Sequence, residues 1–332
     1  MRLAAFIAYR LLGVIVVLAV IATITYAIFY LLPTNPAQLS CGRPCTPENL
    51  ARAKSFMGVD LPWFQQLWDF LKGIVVGRTF GSGQAQVVCP APCFGYSFQQ
   101  NATVTDLILS RFPVTASIAV GAAIVWLVFG VAGGVVSALR RGTALDRTIM
   151  TVAIAGVSTP SYLVGLLAIL LFGFTLQILP TGGYVPFTDD PVQWFLHLLL
   201  PWFTLAFISG AIYARLTRGQ MLEVMGEDYI RTARAKGLTE SKVVVRHGLR
   251  NALIPVVTIF GLDLGALLGG AVIAEKVFSM QGLGAMLIDA VHGLDLQLVV
   301  GFTLFAAFLI VIANLIVDLV YGIIDPRVKI RT

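Results

Sequence analysis

The feature that most constrains this chain is a series of long apolar stretches almost free of charge. The first, Leu11 to Leu32, runs 22 residues without a charged side chain. Crossing the hydrocarbon core as a helix takes about 20 mainly apolar residues. Further stretches of that kind are Val114 to Leu139, Thr148 to Leu179, Trp194 to Ala214, Leu253 to Ala274 and Leu298 to Val317. Thr148 to Leu179 exceeds one straight crossing, so its helix must tilt, bend near Pro160 or run past the interface. Leu11 to Leu32 is too long for the apolar region of a secretory signal and lacks a small-x-small cleavage site, so it reads as a retained first helix. Only 12% of the residues are charged and 58% are hydrophobic. Soluble domains carry roughly a quarter charged residues, so the class is integral membrane.

Charge distribution orients the spans. The Val114–Leu139 and Thr148–Leu179 spans are joined by a segment carrying Arg140, Arg141 and Arg147. The next inward segment carries Arg215, Arg218, Arg231, Arg234, Lys236, Lys242, Arg246 and Arg250, and the tail carries Arg327, Lys329 and Arg331. Arg2 and Arg10 lie at the start, whereas Pro180 to Gln193 and Gln281 to Gln297 hold no Lys or Arg. The positive-inside rule then predicts cytoplasmic N- and C-termini in the plasma membrane. No basic stripe interleaved with aromatics occurs, which argues against nucleic acid as the reason for the net charge of +6.

The long loop after the first span holds all the cysteines, as Cys41-x-x-x-Cys45 and Cys89-x-x-x-Cys93. Outside the cell these suit two disulfides, in any of three connectivities, stapling a loop with little core. A four-cysteine zinc site is the alternative.

Catalytic signatures are missing. There is no phosphate-binding G-x-x-x-x-G-K-[ST] loop, no H-E-x-x-H and no G-x-S-x-G, and His197, His247 and His292 fall in separate segments. The deep acids Asp263 and Asp318 lie at different helix depths, not as a pair. The chain is therefore expected to be no enzyme, with no catalytic residue, metal or cofactor of its own.

Glu223 to Pro255 is the most informative segment. Residues up to Lys236 favour a helix, Gly237 suits the left-handed position that ends one, and Thr239 suits the N-cap of a second helix running to about Arg250. Such a helix, glycine, helix knob either holds the topology as a solvated loop or docks a cytoplasmic partner.

Asp228-Tyr-Ile-Arg-Thr-Ala-Arg-Ala-Lys-Gly237 and Arg246-His-Gly-Leu-Arg-Asn-Ala-Leu-Ile-Pro255 resemble the coupling (EAA) loop of binding-protein-dependent ABC importer permeases, in the dipeptide/oligopeptide branch. Within the family pattern Ala233, Gly237 and Leu249 take the matching positions. Further likeness lies in Asp146-Arg147, Ser158-Thr-Pro160, Leu179 to Tyr184, Leu267 to Phe278, Asn314 to Tyr321 and Asp325-Pro-Arg327. Departures are Pro33-Thr-Asn-Pro36, Gln281 and the stretch around His292. The resemblance identifies a first permease subunit of a type I importer. It implies an all-α integral membrane fold: six transmembrane helices with a MetI-like core and a large extracytoplasmic loop after helix one. The expected domains are 1–32 (tail and first helix), 33–112 (outer loop), 113–322 (core, with coupling loop 215–252) and 323–332 (tail). The implied partners are a second homologous permease, two cytoplasmic ABC ATPases that bind ATP-Mg, and an extracytoplasmic substrate-binding protein. The implied cargo is di- or oligopeptide, or alternatively glutathione, a nickel chelate or an opine. Tyr229, Arg231, Ala233, Arg234, Ala235, Lys236, Gly237, His247, Leu249 and Arg250 are the expected ATPase-coupling residues.

Two readings concern the Leu253–Ala274 span. Gly261, Gly265 and Gly269, four apart, suit close helix packing. A carboxylate such as Asp263 in mid-membrane is costly and faces a cavity or partner. Asp263 is expected to line the translocation path and attract a peptide's ammonium group, or else to contact the partner permease or a polar neighbour. A stand-alone secondary transporter and an assembly scaffold are the competing classes, and neither accounts for the coupling-loop match.

Overall fold

The computed structural model describes residues 2–28, 37–38, 41, 45–57, 61–81 and 86–324. Pro33 to Pro36, the Asp325-Pro-Arg327 stretch and the tail cations Arg327, Lys329 and Arg331 lie outside these, as do the side chains of Asp318 and Tyr321. The chain divides into two units, one of 1–115 with 282–311 and one of 116–281 with 312–332.

The first unit opens with α1 (Arg2–Tyr26), apolar over nearly its whole length. Helix α2 (Pro47–Met57) begins where Thr46 caps it, its hydroxyl accepting from Asn49 N at 3.2 Å, with proline in the first position, where no N–H is needed. Helix α3 (Trp63–Val76) follows Pro62. Two antiparallel hairpins come next. β1 (Arg78–Phe80) pairs with β2 (Val87–Cys89) in the register Thr79 to Val88, and β3 (Tyr96–Ser97) pairs with β4 (Ala102–Thr103). The fold is thus predominantly helical rather than purely so, and the region after α1 contains regular structure and apolar clusters of its own. Phe80, Cys89, Cys93 and Tyr96 form one such cluster, and Ala37, Cys41 and Ala53 another. Disulfides join Cys41 to Cys45 and Cys89 to Cys93, with Cα separations of 5.4 and 5.6 Å. Each closes a short local ring, worth about 2 kcal/mol in the loop-entropy picture, and neither ties distant parts of the loop together.

Helix α4 (Val104–Leu139) starts at Thr103, whose hydroxyl accepts from Asp106 N at 3.1 Å. It begins ten residues before the apolar stretch at Val114, because the Thr103 cap and the acidic Asp106 in the first turn favour a helix start there. Its first turns pack Val104 and Ile108 against Leu283, Met286 and Ala290 of α11 (Leu283–Gly293) and Leu298, Val299 and Phe302 of α12 (Leu296–Ile324). The β3–β4 hairpin is fastened to the α11–α12 turn. Tyr96 N donates to Gln297 Oε1 at 2.8 Å, Ser97 Oγ donates to the Asp295 carboxylate, and Gln99 Nε2 donates to the Gly293 carbonyl.

In the second unit, α5 (Ala144–Ser158) and α6 (Ser161–Thr175) bend by 105° at Thr159-Pro160. Proline has no N–H to donate and disfavours helical geometry in the residue before it, so the bend falls where the sequence places it. Asp190 caps α7 (Pro191–Met225), its carboxylate accepting from Val192 N at 2.9 Å and Gln193 N at 3.0 Å. Trp202 of α7 donates through Nε1 to the Ser117 carbonyl of α4 at 2.9 Å, and Trp126 stacks against Tyr213 with centroids 6.1 Å apart. After α8 (Asp228–Ala235) comes α9 (Glu240–Leu268), then α10 (Val272–Val277). Among the described residues, four helices are long and apolar enough to cross a membrane, five if α5 and α6 form one bent span.

Two boundaries depart from the sequence reading. The second helix of the coupling loop does not stop near Arg250 but continues, through a wider π-type segment at Val243–Leu249, into the membrane stretch itself. That stretch ends at Leu268 rather than Ala274, because Gly270 adopts φ of 141° and breaks the helix.

Candidate functional site

The expected coupling element is built from the end of α7, the short α8 and the start of α9. Ile230 and Ala233, on one face of α8, are buried with Val243 of α9 and rest on Met225. This apolar seam sets α8 against the root of α9. Gly237 joins them with φ of +76°, a conformation in which any side chain is strained, although nothing lies within 4 Å of where a Cβ would stand. Its N–H donates to the Arg234 carbonyl at 2.9 Å, closing the helix end. Thr239 occupies the N-cap position of α9 but makes no side-chain capping bond. An ion pair spans the turn instead. Arg234 Nε donates to Glu240 Oε2 at 3.1 Å and Nη2 to Oε1 at 2.7 Å, a two-point clasp across the turn. Asn251 Nδ2 donates to the Tyr229 hydroxyl at 2.8 Å, pinning the start of α8 to α9.

The expected coupling residues therefore separate by position. Tyr229, Arg231, Arg234, Ala235, Lys236, Gly237 and Arg250 are exposed. Ala233 is buried in the seam, His247 is half-buried, and Leu249 packs against the cluster of Ala138, Met221, Val244 and Ala252. Ala233 is thus packed inside the element, and Leu249 reaches its surface only in part.

One pair escaped the sequence reading. Asp146, in the first turn of α5, is buried and accepts from Arg218 of α7 at 2.8 Å (Nε) and 3.0 Å (Nη2). Ser137 Oγ also donates to it, and Gly142 N donates at 2.9 Å. A sequence separation of 72 between Asp146 and Arg218 gives no local spacing to betray the contact. This clasp joins the C-terminal parts of α4 and α7 to the first turn of α5. In the sequence Arg218 registered only as one of several orienting cations.

On α9, Gly261 meets α12 so closely that a Cβ there would run into the Val317 side chain. Gly265 is also buried, whereas Gly269 lies just past the helix end. Asp263 points away from that packed face. It is exposed on this chain, and its carboxylate accepts from the Tyr213 hydroxyl of α7 at 2.8 Å. Among the described residues, no three His, Cys, Asp or Glu side chains are grouped so as to hold a metal ion.

Residues 130–330 match the sequence profile of the binding-protein-dependent transport system inner membrane component, and residues 3–119 match its N-terminal companion. The chain belongs to this family. As an ABC importer permease of the peptide branch, it is a multi-pass protein of the plasma membrane. The permease is 39% identical to a Brucella abortus protein named as a peptide transport system permease, over 96% of this chain and 97% of that one. It is 36% identical to the glutathione transport system permease protein GsiC of Escherichia coli, over 97% of this chain and 98% of GsiC. The MetNI methionine ABC transporter, in its inward-facing crystal form, contains a chain that covers 68% of the permease at a TM-score of 0.49 and 20% identity.

Proposed function

We propose that this permease forms half of the translocation pathway of an ATP-driven importer of di- and oligopeptides and couples it to two cytoplasmic ATPases. The supporting observation is the α8–Gly237–α9 element: a short helix clasped to the very root of a membrane helix. Because α9 continues from Glu240 to Leu268 without a loop, a displacement imposed on α8 is delivered directly to the helix that bears Asp263. A flexible linker would dissipate it. A motor can shift the permease between states only through contacts that differ in those states, and a rigid lever supplies them.

In this reading the chain spans the bilayer six times, with α1 and the bent α5–α6 pair completing the set and both termini in the cytoplasm. A second permease, the ATPase pair and an extracytoplasmic binding protein complete the assembly. ATP-Mg is bound by the ATPases. Asp263 faces the pathway, where its carboxylate attracts the terminal ammonium of a peptide and Tyr213 holds it in place. Resemblance to GsiC supports glutathione as a second cargo, since glutathione also carries an α-ammonium group.

Uptake by the reconstituted complex tests the reading. Peptide import that needs ATP, the ATPases and the binding protein is the expected result, and import by the isolated chain without nucleotide would refute it. Asp263→Asn keeps an acceptor for Tyr213 while removing the charge. It should reduce uptake of peptides with a free amino terminus by about tenfold relative to N-acetylated ones, taking about 1.4 kcal/mol for the lost attraction. Equal uptake of the two before and after substitution would remove Asp263 from the pathway.

A further inference from the structure

Helix α3 has three faces, and only two are accounted for by protein and water. At 100° per residue, Gln66, Phe70, Gly73 and Ile74 share one side. That side is the packed one: Phe70 is buried with Ala22 of α1 and with Val300 and Leu304 of α12, and Ile74 packs against the same cluster. Tyr26 of α1 donates its hydroxyl to Gln66 Oε1 at 2.9 Å. Gln65, Asp69 and Lys72 form a polar, exposed side. Between these two runs a third stripe of exposed apolar side chains, Phe64, Trp68 and Val75, at spacings of four and seven residues, with half-buried Leu71 between them packing inward against the Ala22 cluster. Trp68 is 66% exposed, Val75 76% and Phe64 55%. Water is an unfavourable neighbour for so continuous an aromatic and aliphatic surface.

We propose that α3 is an interfacial helix, immersed by this stripe at the boundary between lipid headgroups and acyl chains. Its place along α1 argues for lipid. Tyr26 lies 16 residues beyond Arg10. At 1.5 Å per residue that is about 24 Å into a core of ~30 Å, so α3 is held about 6 Å inside the far edge. Amphipathic helices that lie on a bilayer bury their apolar face to a similar depth of about 5–10 Å. The neighbouring α1 likewise leaves Ile15, Val20 and Ile24 exposed, side chains that belong in acyl chains. Trp and Tyr prefer this boundary, where an apolar ring and a polar tip are both satisfied. The helix thereby anchors the extracytoplasmic region to the membrane surface; that sidedness, though not the immersion, rests on the orientation proposed above.

The native cysteines are paired, so single introduced thiols can be labelled selectively. The experiment places nitroxide labels at Phe64→Cys, Trp68→Cys, Val75→Cys, Gln65→Cys and Lys72→Cys in the full chain, within the complex it purifies with, in lipid nanodiscs. Collision with oxygen, which concentrates in lipid, is compared with collision with a water-soluble nickel chelate. Both faces of a nanodisc are open to solution, so the result is independent of sidedness and of transport. The expected outcome is an oxygen-to-nickel ratio several-fold higher at the Phe64, Trp68 and Val75 positions than at Gln65 and Lys72. Nickel-dominated collisions at every position would show a water-exposed stripe and overturn the proposal. Loss of both collision partners at Phe64, Trp68 and Val75 would show a protein cover, from a second permease or a binding protein, and would overturn it equally.

Discussion

Arg234 and Glu240 grip one another across the Gly237 turn, guanidinium to carboxylate at two points, 2.7 and 3.1 Å. Two donors of the fork are therefore engaged in the hinge, although in the sequence Arg234 reads as a docking cation. A bidentate pair is directional, so it sets the angle between α8 and α9 as well as holding them together.

The first expectation follows from that geometry. Arg234→Glu should lower ATPase stimulation by loaded binding protein several-fold. Adding Glu240→Arg should restore most of it, because the exchanged pair can re-form the clasp. Failure of the double variant to recover would assign Arg234 to direct contact with the ATPase. Lys236→Glu, at an exposed position outside the clasp, should not be rescued by any change at Glu240.

Gly237 is expected to tolerate substitution poorly for backbone reasons alone. Gly237→Ala places a Cβ in open space but keeps φ at +76°, costing roughly 1 kcal/mol of local hinge stability. Gly237→Pro also forces φ to about −65° and removes the donor to the Arg234 carbonyl. The proline variant should insert into the membrane at wild-type levels yet lose coupled ATPase stimulation; the alanine variant should retain a measurable fraction. Normal stimulation with proline would exclude a rigid hinge.

The Asp146–Arg218 clasp predicts a stability effect separate from coupling. Asp146→Ala leaves the Arg218 guanidinium, the Ser137 hydroxyl and the Gly142 N–H without their shared acceptor. The thermal midpoint in detergent should fall by several degrees, whereas Asp146→Asn, which keeps one acceptor oxygen, should fall less. Equal loss in the two variants would mean that charge alone, rather than the hydrogen-bond count, is what the site requires.

Asp295 predicts a pH dependence of unusual sign. Burial raises its pKa above the ordinary 3.8, and the donors Ser97 Oγ and Leu298 N only partly offset that. An acid whose folded pKa is raised favours folding when protonated. Its contribution is fully present below about pH 3.8 and is lost as pH climbs through the higher folded value. Asp295→Asn should therefore flatten this part of the stability-against-pH curve and raise the thermal midpoint at pH 7 relative to pH 4. An unchanged difference between the two pH values would show that the carboxyl is not burdened by its burial.

Membrane class, the apolar stretches and the place of the Gly237 turn were legible from the chain alone, whereas the Pro160 bend was one of three ways the long Thr148–Leu179 stretch could be accommodated. Each rests on local chemistry: twenty apolar residues in a row, a missing N–H, a glycine tolerant of positive φ. Local chemistry cannot show where a helix stops when its neighbours supply the missing contacts. Thus α9 runs unbroken from Glu240 because Val243 is buried against α8 and Leu249 partly buried against the Met221 cluster, not because of a signal at Arg250. The cysteine pairing was likewise open among three connectivities until backbone geometry brought each C-x-x-x-C together. Arg218 and Arg234 looked alike as cations in one basic segment. Only folding, which sets Asp146 72 residues away beside the first and Glu240 across a turn from the second, gave them different work.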